Sequence, residues 1–417
     1  MALYDMAGRM LIPFLRKNER LKDGFDQRRL VIPLPAADVW IQAASGGEAY
    51  LARAIVEYLV PLAPVRLLVT TNTRQGMEII EKFSQKINSR ENRRAVFAAY
   101  FPFDRPSLMA TALEQVAPKL TVLLETEIWP GFLYAAKMSG RPIAIVNGRI
   151  TEKSLRGYRR FKHLLQTLAP ERVLAITAED AGRFAALFGE DIVSVIPNIK
   201  FDGVASAGND SGEALQGAEV GPHPFLVLGS VRQEEEDDVA EVISAVRNCC
   251  PDSVIGLFPR HMHRIDHWRG VLDKMGVRWA LKSKVSGRVE PGTVLVWDVF
   301  GELAAAYAAA DSVFVGGSLA PLGGQNFLEP LVFGVVPVIG PFWDNFLWVG
   351  EAVFKQGLVI RADGWKAVAE TLIKQLQAPA DRDVVRRAAM EYIRVRQGGT
   401  HMACKIILAA IKKEDQS

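Results

Sequence analysis

Residues 311–329 read D-S-V-F-V-G-G-S-L-A-P-L-G-G-Q-N-F-L-E, and the fold follows from this stretch. After its aspartate, D-S-V-F-V is short and almost continuously apolar, the pattern of a strand buried on both faces of a parallel sheet. The glycines behind it predict a turn, and the segment after the turn predicts a helix. Ligands of open α/β sheets sit off the carboxyl ends of such strands. Paired glycines let the backbone approach an anion, and a helix start offers N–H groups and a positive dipole end. Gly317 and Ser318 are therefore candidates for ligand contact. Asn326 and Glu329 follow, three apart on the first helical turn and spaced to hydrogen-bond ligand hydroxyls. The stretch reads as a nucleotide-sugar pocket.

The same strand–turn–helix rhythm extends in both directions. F-L-V-L-G-S (225–230), S-V-I-G-L-F-P (253–259), T-V-L-V-W-D (293–298) and V-V-P-V-I-G (335–340) complete one sheet around it. Upstream, V-W-I-Q-A-A-S (39–45) opens a second series of apolar runs beginning near 65, 95, 120, 142, 172 and 192. Helical stretches alternate with them, so right-handed βαβ units are expected. Residues 203–224 are rich in small and polar types and read as a linker. The expected fold is α/β, with two doubly wound Rossmann-like domains. The divisions are an N-terminal segment (1–30), a first domain (31–205), a linker (206–224), a second domain (225–385) and a C-terminal helical segment (386–417).

At 417 residues, 49% hydrophobic and 23% charged, the chain has the composition of a folded globular protein. A net charge of +3 excludes general attraction to nucleic acid. Three cysteines, two of them adjacent, give neither a disulfide framework nor metal spacing, which fits a reducing compartment. No apolar run is long enough to span a bilayer. Residues 1–30 interleave Arg9, Arg16, Lys17, Arg20, Lys22, Arg28 and Arg29 with Met6, Met10, Leu11, Phe14 and Leu15. That mix suits an interfacial segment on anionic lipid, and equally a solvated helix packed on the first domain.

Several strand ends carry polar motifs. S-G-G-E (45–48) places Glu48 at a helix start, where the charged form expected of a general base is favoured. E-T-E-I-W-P (125–130) puts Glu125 and Glu127 on one face by strand alternation, in hydrogen-bonding roles rather than as a metal site. Along 149–162, Arg149, Lys153, Arg156 and Arg160 form one basic stripe if helical, a candidate contact for an anionic partner. P-R-H (259–261) offers Arg260 for bidentate anion binding, with His261 as a further donor. His263 and His267 lie near, but no cysteine or correctly spaced acid completes a zinc site. F-G-E-L (300–303) caps another turn, whose N–H groups suit a base or ribose. No G-x-G-x-x-G follows the first strand of either domain, which disfavours a dehydrogenase.

Taken in order, S-G-G-E, T-T-N-T-R-Q-G (70–76), Y-F-P-F-D (100–104), E-T-E-I-W-P, V-N-G-R-I (146–150), N-I-K-F-D (198–202), P-R-H, G-E-L, F-V-G-G-S-L (314–319) and G-G-Q-N-F-L-E-P (323–330) resemble one family. It is that of the 3-deoxy-D-manno-octulosonic acid (Kdo) transferases of lipopolysaccharide assembly, and the likeness covers residues 20–359. The resemblance implies a GT-B glycosyltransferase whose two domains face across a cleft. It implies transfer of Kdo from CMP-Kdo to a lipid A precursor (lipid IVA), with inversion and with neither metal nor cofactor. The place implied is the cytoplasmic face of the inner membrane, peripheral or monotopic, against its anionic surface.

Carried over by motif, Glu48 matches the proton acceptor, and Glu125 and Lys200 match transition-state stabilisers. Pro259 and Arg260, Phe300, Gly301 and Glu302, and Asn326, Phe327, Leu328 and Glu329 match CMP-binding segments. Ser230, His261, Gly317 and Ser318 are further candidates for donor contact, and Arg149, Lys153, Arg156 and Arg160 for acceptor contact. Departures from the family pattern are Gly46 for Val, Gln325 for His, Pro197 for Gly, and G-S-V-R-Q-E-E-E (229–236) where G-S-T-H-x-G-E-E is usual. They bear on substrate detail. Two alternatives stand beside this reading: a GT-B enzyme using a UDP-sugar, and a non-catalytic lipid-binding paralogue.

Overall fold

The computed structural model describes residues 1–18, 21–91, 95–207 and 218–414. The chain divides into two compact units, Met1–Asp202 with Gln397–Ser417, and Gly203–Arg396. Residues 208–217 of the expected linker lie outside the described residues, as does Arg20 of the N-terminal basic set.

The first unit is built on seven parallel strands: β1 (Val39–Gln42), β2 (Leu67–Thr71), β3 (Val96–Tyr100), β4 (Leu120–Leu124), β5 (Ile143–Gly148), β6 (Arg172–Ala175) and β7 (Val193–Val195). Alternation along β1 feeds two apolar layers. Val39 and Ile41 join one, with the helices Gly46–Leu59 and Arg74–Arg90. Trp40 joins the other, its ring 5.1 Å from that of Phe132. Both faces are covered, which is why the strands read as continuous apolar runs. The strand order β3-β2-β1-β4-β5-β6-β7 reverses direction between β1 and β4. A crevice is expected at such a switch point, and S-G-G-E and E-T-E-I-W-P leave those two strands.

The second unit repeats the plan with β9 (Phe225–Val231), β10 (Val254–Pro259), β11 (Trp279–Leu281), β13 (Val294–Val296), β14 (Ser312–Val315), β15 (Pro337–Ile339) and β16 (Ile360–Arg361). Their order is β11-β13-β10-β9-β14-β15-β16, and β8 (Ala218–Glu219) pairs separately with β12 (Gly287–Arg288). Here the reversal falls between β9 and β14, paired in register through Gly229 and Val315.

The C-terminal segment differs from expectation. Helix Arg382–Arg394 belongs to the second unit, but helix Gly399–Glu414 belongs to the first. Its Ala403, Cys404, Ile407 and Ile411 complete the apolar layer that holds Ile55 and Val56. Asp202 caps this helix by accepting from Gly398 N (2.7 Å) and Thr400 N (2.6 Å). A Cβ at Gly399 would lie 2.1 Å from Pro197 O. Gly399→Ala is therefore expected to cost about 1–3 kcal/mol, read as a lowered urea midpoint.

Residues 1–18 and 21–30 also belong to the first unit. Helix Ala2–Leu11 docks through Asp5, which accepts from Ser107 N (2.8 Å), and through Tyr4, whose hydroxyl donates to Asp104 (2.9 Å). Leu3, Met6, Met10, Leu11 and Phe14 remain exposed. Arg28, counted among the basic residues available to lipid, is instead 2% exposed and donates to Asn72 O at 2.8 Å. Among the described residues no helix is long and apolar enough to cross a membrane.

Candidate active site

At the switch point of the first unit, backbone geometry aims the polar groups. Glu125, directly after β4, and Asn147, near the end of β5, both adopt left-handed φ values, 56° and 58°. Such angles are costly for non-glycine residues and persist where the surroundings over-determine them. Asn147 is fully buried and its Oδ1 accepts from Ile199 N at 2.9 Å. Asn198 Oδ1 accepts from Lys200 N at 3.0 Å. Together they fix N-I-K-F-D so that Lys200 Nζ lies 2.6 Å from Glu125 Oε1. Arg149 Nε stands 3.1 Å from the other oxygen, Oε2. One carboxylate, 6% exposed, thus carries a cation on each oxygen.

Ser45 caps the helix Gly46–Leu59, and Glu48 reaches back to accept from Ser45 N at 3.0 Å. The helix start was expected to favour the charged form of Glu48. Burial pushes its carboxyl up to about 7, reinforced by the nearby Glu127 and Glu125, and the N–H groups of Ser45 and Ala44 only partly offset this. Glu127 is raised too, chiefly by burial, and accepts from Trp129 Nε1 at 2.5 Å. Strand alternation does not produce this clustering, since β4 ends at Leu124. At Gly46 the neighbouring space is taken by Gln75; a Cβ there would meet Gln75 Cδ at 2.9 Å.

The basic stripe is shorter than its spacing suggests. The helix runs Glu152–Arg159 behind the cap Thr151, so Arg149 lies before it and is tied to Glu125. Lys153, Arg156 and Arg160 remain exposed, beside an outward-facing Phe161 and Leu164 that the charge pattern did not single out.

In the second unit the glycine-rich turn holds an anion of the protein's own. Glu235, 1% exposed, accepts from Gly317 N (2.5 Å), Ser318 N (3.2 Å), Leu319 N (3.1 Å) and Arg232 N (2.9 Å). The N–H groups expected to meet a ligand at Gly317 and Ser318 are thereby taken. Ser230, within β9, is half-buried with a φ of 57°.

Phe327 and Leu328 are fully buried core residues, leaving only their backbone for a ligand, and Pro259 is likewise buried at the end of β10. The helix beyond them is short, Leu328–Val332, and Asn326 precedes it. Asn326 Nδ2 donates to Glu329 Oε1 at 2.9 Å, so Asn326 positions Glu329. Burial raises the Glu329 carboxyl, while the Asn326 bond and the nearby Arg260 draw it down. Glu302 is held by Lys282 Nζ (3.1 Å) and Trp297 Nε1 (3.0 Å), whereas Phe300 and Gly301 stand exposed in the preceding turn. His267, the third histidine of this stretch, lies 3.1 Å from Glu236.

A family model described as 3-Deoxy-D-manno-octulosonic-acid transferase (kdotransferase) matches residues 16–203. A 3-deoxy-D-manno-octulosonic acid transferase of Bordetella pertussis is 34% identical over 379 residues, covering 88% of this chain and 86% of its own. One from Haemophilus influenzae is 28% identical over 323 residues, covering 75% and 72%. Among solved structures, a UDP-GlcNAc 2-epimerase from Neisseria meningitidis aligns over 90% of this chain and 99% of its own, with a TM-score of 0.57 at 11% identity. A glycosyltransferase from Rickettsia africae aligns over 90% and 98%, also at 0.57, with 10% identity. These two speak to fold alone, and the fold is GT-B.

Proposed function

Because this chain belongs to the 3-deoxy-D-manno-octulosonic acid (Kdo) transferase family and is a glycosyltransferase, we propose that it moves Kdo from CMP-Kdo onto a sugar hydroxyl of a lipid A precursor. The observation that carries the reading is the first unit's switch point. There Glu48, a carboxylate poised near neutrality, stands beside a second carboxylate already matched by two cations. A general base works best when its pKa lies near the working pH.

In the proposed reaction Glu48 takes the acceptor's hydroxyl proton as that oxygen bonds to the anomeric carbon. The bond from that carbon to the CMP phosphate oxygen breaks, and its electron pair leaves with CMP. Attack from the side opposite the leaving group gives inversion. Lys200, held by Glu125, supplies fixed positive charge for the transition state. In the second unit Arg260 and Glu329 take the nucleotide. No cofactor enters the scheme.

The exposed apolar face of helix Ala2–Leu11 and the cations Lys153, Arg156 and Arg160 support a contact with an anionic membrane surface, at its cytoplasmic face.

Incubation with CMP-Kdo and a tetraacylated lipid A precursor tests the proposal by product mass. Expected is a lipid heavier by whole Kdo residues, with one CMP released for each. A product formed only from a UDP-sugar would replace the donor. Vesicle binding without product from either donor would leave a lipid-binding protein and remove the enzyme reading.

A further inference from the structure

The carboxyl edge of the second sheet carries a cationic cluster beside the plugged glycine turn. β9 and β10 are neighbours, with Val231 opposite Pro259, and Arg260 N donates to Val231 O at 2.7 Å. Arg232 and Arg260 therefore leave adjacent strands at the same level. His261 follows Arg260 and stacks on His263 with ring centroids 5.6 Å apart. The pKa of His261 is lowered, first by burial and then by Arg232, Arg260 and His263, as expected where cations crowd one another.

The Arg232 backbone is fixed by the Glu235 carboxylate, and its side chain is 28% exposed. Its Nε is buried, and no described residue accepts a hydrogen bond from it. The nearest acid is Glu234, 49% exposed and 3.7 Å from Nε, a loose pair that solvent screens. Glu329, the acid close to Arg260, is already bonded to Asn326. Among the described residues the buried Nε of Arg232 is thus left as an unmet donor, at the level where Arg260 leaves the neighbouring strand. The turn after β14 cannot supply a site for an incoming anion, since Glu235 already fills it.

We propose that Arg232 is a ligand of the donor's anionic group, holding a phosphate or sugar carboxylate over the ends of β9 and β10 with Arg260 and His261. The glycine-rich turn shapes this site without binding the anion. The inference rests on the donor being an anionic nucleotide sugar. A guanidinium presents a planar fork that matches either oxyanion bidentately and keeps its charge at every working pH.

The test measures CMP binding by calorimetry and the KM for CMP-Kdo, using the full-length chain and its Arg232→Gln, Arg232→Lys and Arg232→His variants. Thermal melting checks that each is folded. Arg232→Gln is expected to weaken CMP binding about tenfold or more, with partial recovery in Arg232→Lys. CMP affinity held while KM for CMP-Kdo rises about tenfold, at unchanged kcat, supports the proposal with the sugar carboxylate as the group bound. CMP affinity and KM both within about twofold of wild type in a folded Arg232→Gln protein overturn it. Absence of CMP binding by the wild-type protein overturns the donor reading itself, and Arg232's role with it.

Discussion

Glu48→Gln is expected to lower kcat by about 10²–10⁴-fold, the range that a positioned general base supplies, while CMP affinity stays unchanged. Glutamine keeps the capping geometry, because its side-chain oxygen still accepts from Ser45 N. What it loses is the ability to take a proton. In the wild-type protein kcat/KM should climb as pH rises through about 7 and then level, since only ionised Glu48 acts as base.

The same shift has an opposite effect on stability. A glutamate carboxyl in water ionises near 4.5, and burial in the fold pushes that of Glu48 up to about 7. Below the lower value both states are protonated, and the fold keeps the full contribution of the neutral group. Between the two values the unfolded chain releases its proton first, so that contribution is lost as pH rises. Glu48→Gln should therefore match the wild type at pH 4 and exceed it at pH 8 by on the order of 2 kcal/mol. Melts at the two pH values, run beside the assay, check both halves. Full activity would remove Glu48 as base, and an inactive variant with no gain at pH 8 would mean its carboxylate is not held against burial.

Lys200→Met carries the second large expectation, a fall in kcat of about 10²–10³-fold with CMP affinity held. Its structural effect is separable. Glu125 is 6% exposed and, among the described residues, would keep Arg149 as its ion-pair partner, on its other oxygen. Breaking a buried ion pair from one side costs about 3–5 kcal/mol when no second partner remains, and Arg149 should hold the loss below that. Adding Glu125→Gln to Lys200→Met should recover the urea midpoint and leave kcat low. Recovery of both would reduce Lys200 to a structural role.

The architecture was legible because its strands are buried on both faces. D-S-V-F-V needs no tertiary information to read as a strand, and it spans Ser312–Val315 in the fold. S-G-G-E was legible for a similar reason, since a capping serine and its glutamate are local. The plugging of the glycine turn was not. Glu235 acts across 82 residues of sequence on the N–H of Gly317, and no periodicity reports such a bond. The ionisation of Glu48 was misjudged because the helix start is local, whereas burial beside Glu125 and Glu127 is tertiary. For Arg149 a signal existed: Thr151 accepts from Ser154 N at 3.1 Å, so a cap between Arg149 and Lys153 bars them from one helix. The helical character of the last segment was legible, but its destination was not.

That destination sets the order in which the protein is made. Ala403, Cys404, Ile407 and Ile411 finish a layer whose other members precede residue 200. Ribosomes add about 5–20 residues per second, so synthesis of Gly203–Arg396 takes roughly 10–40 s. Throughout that interval helix Gly46–Leu59 has left the ribosome with one apolar flank still uncovered, a surface on which a nascent-chain chaperone would act. The half of the molecule translated first is the half completed last.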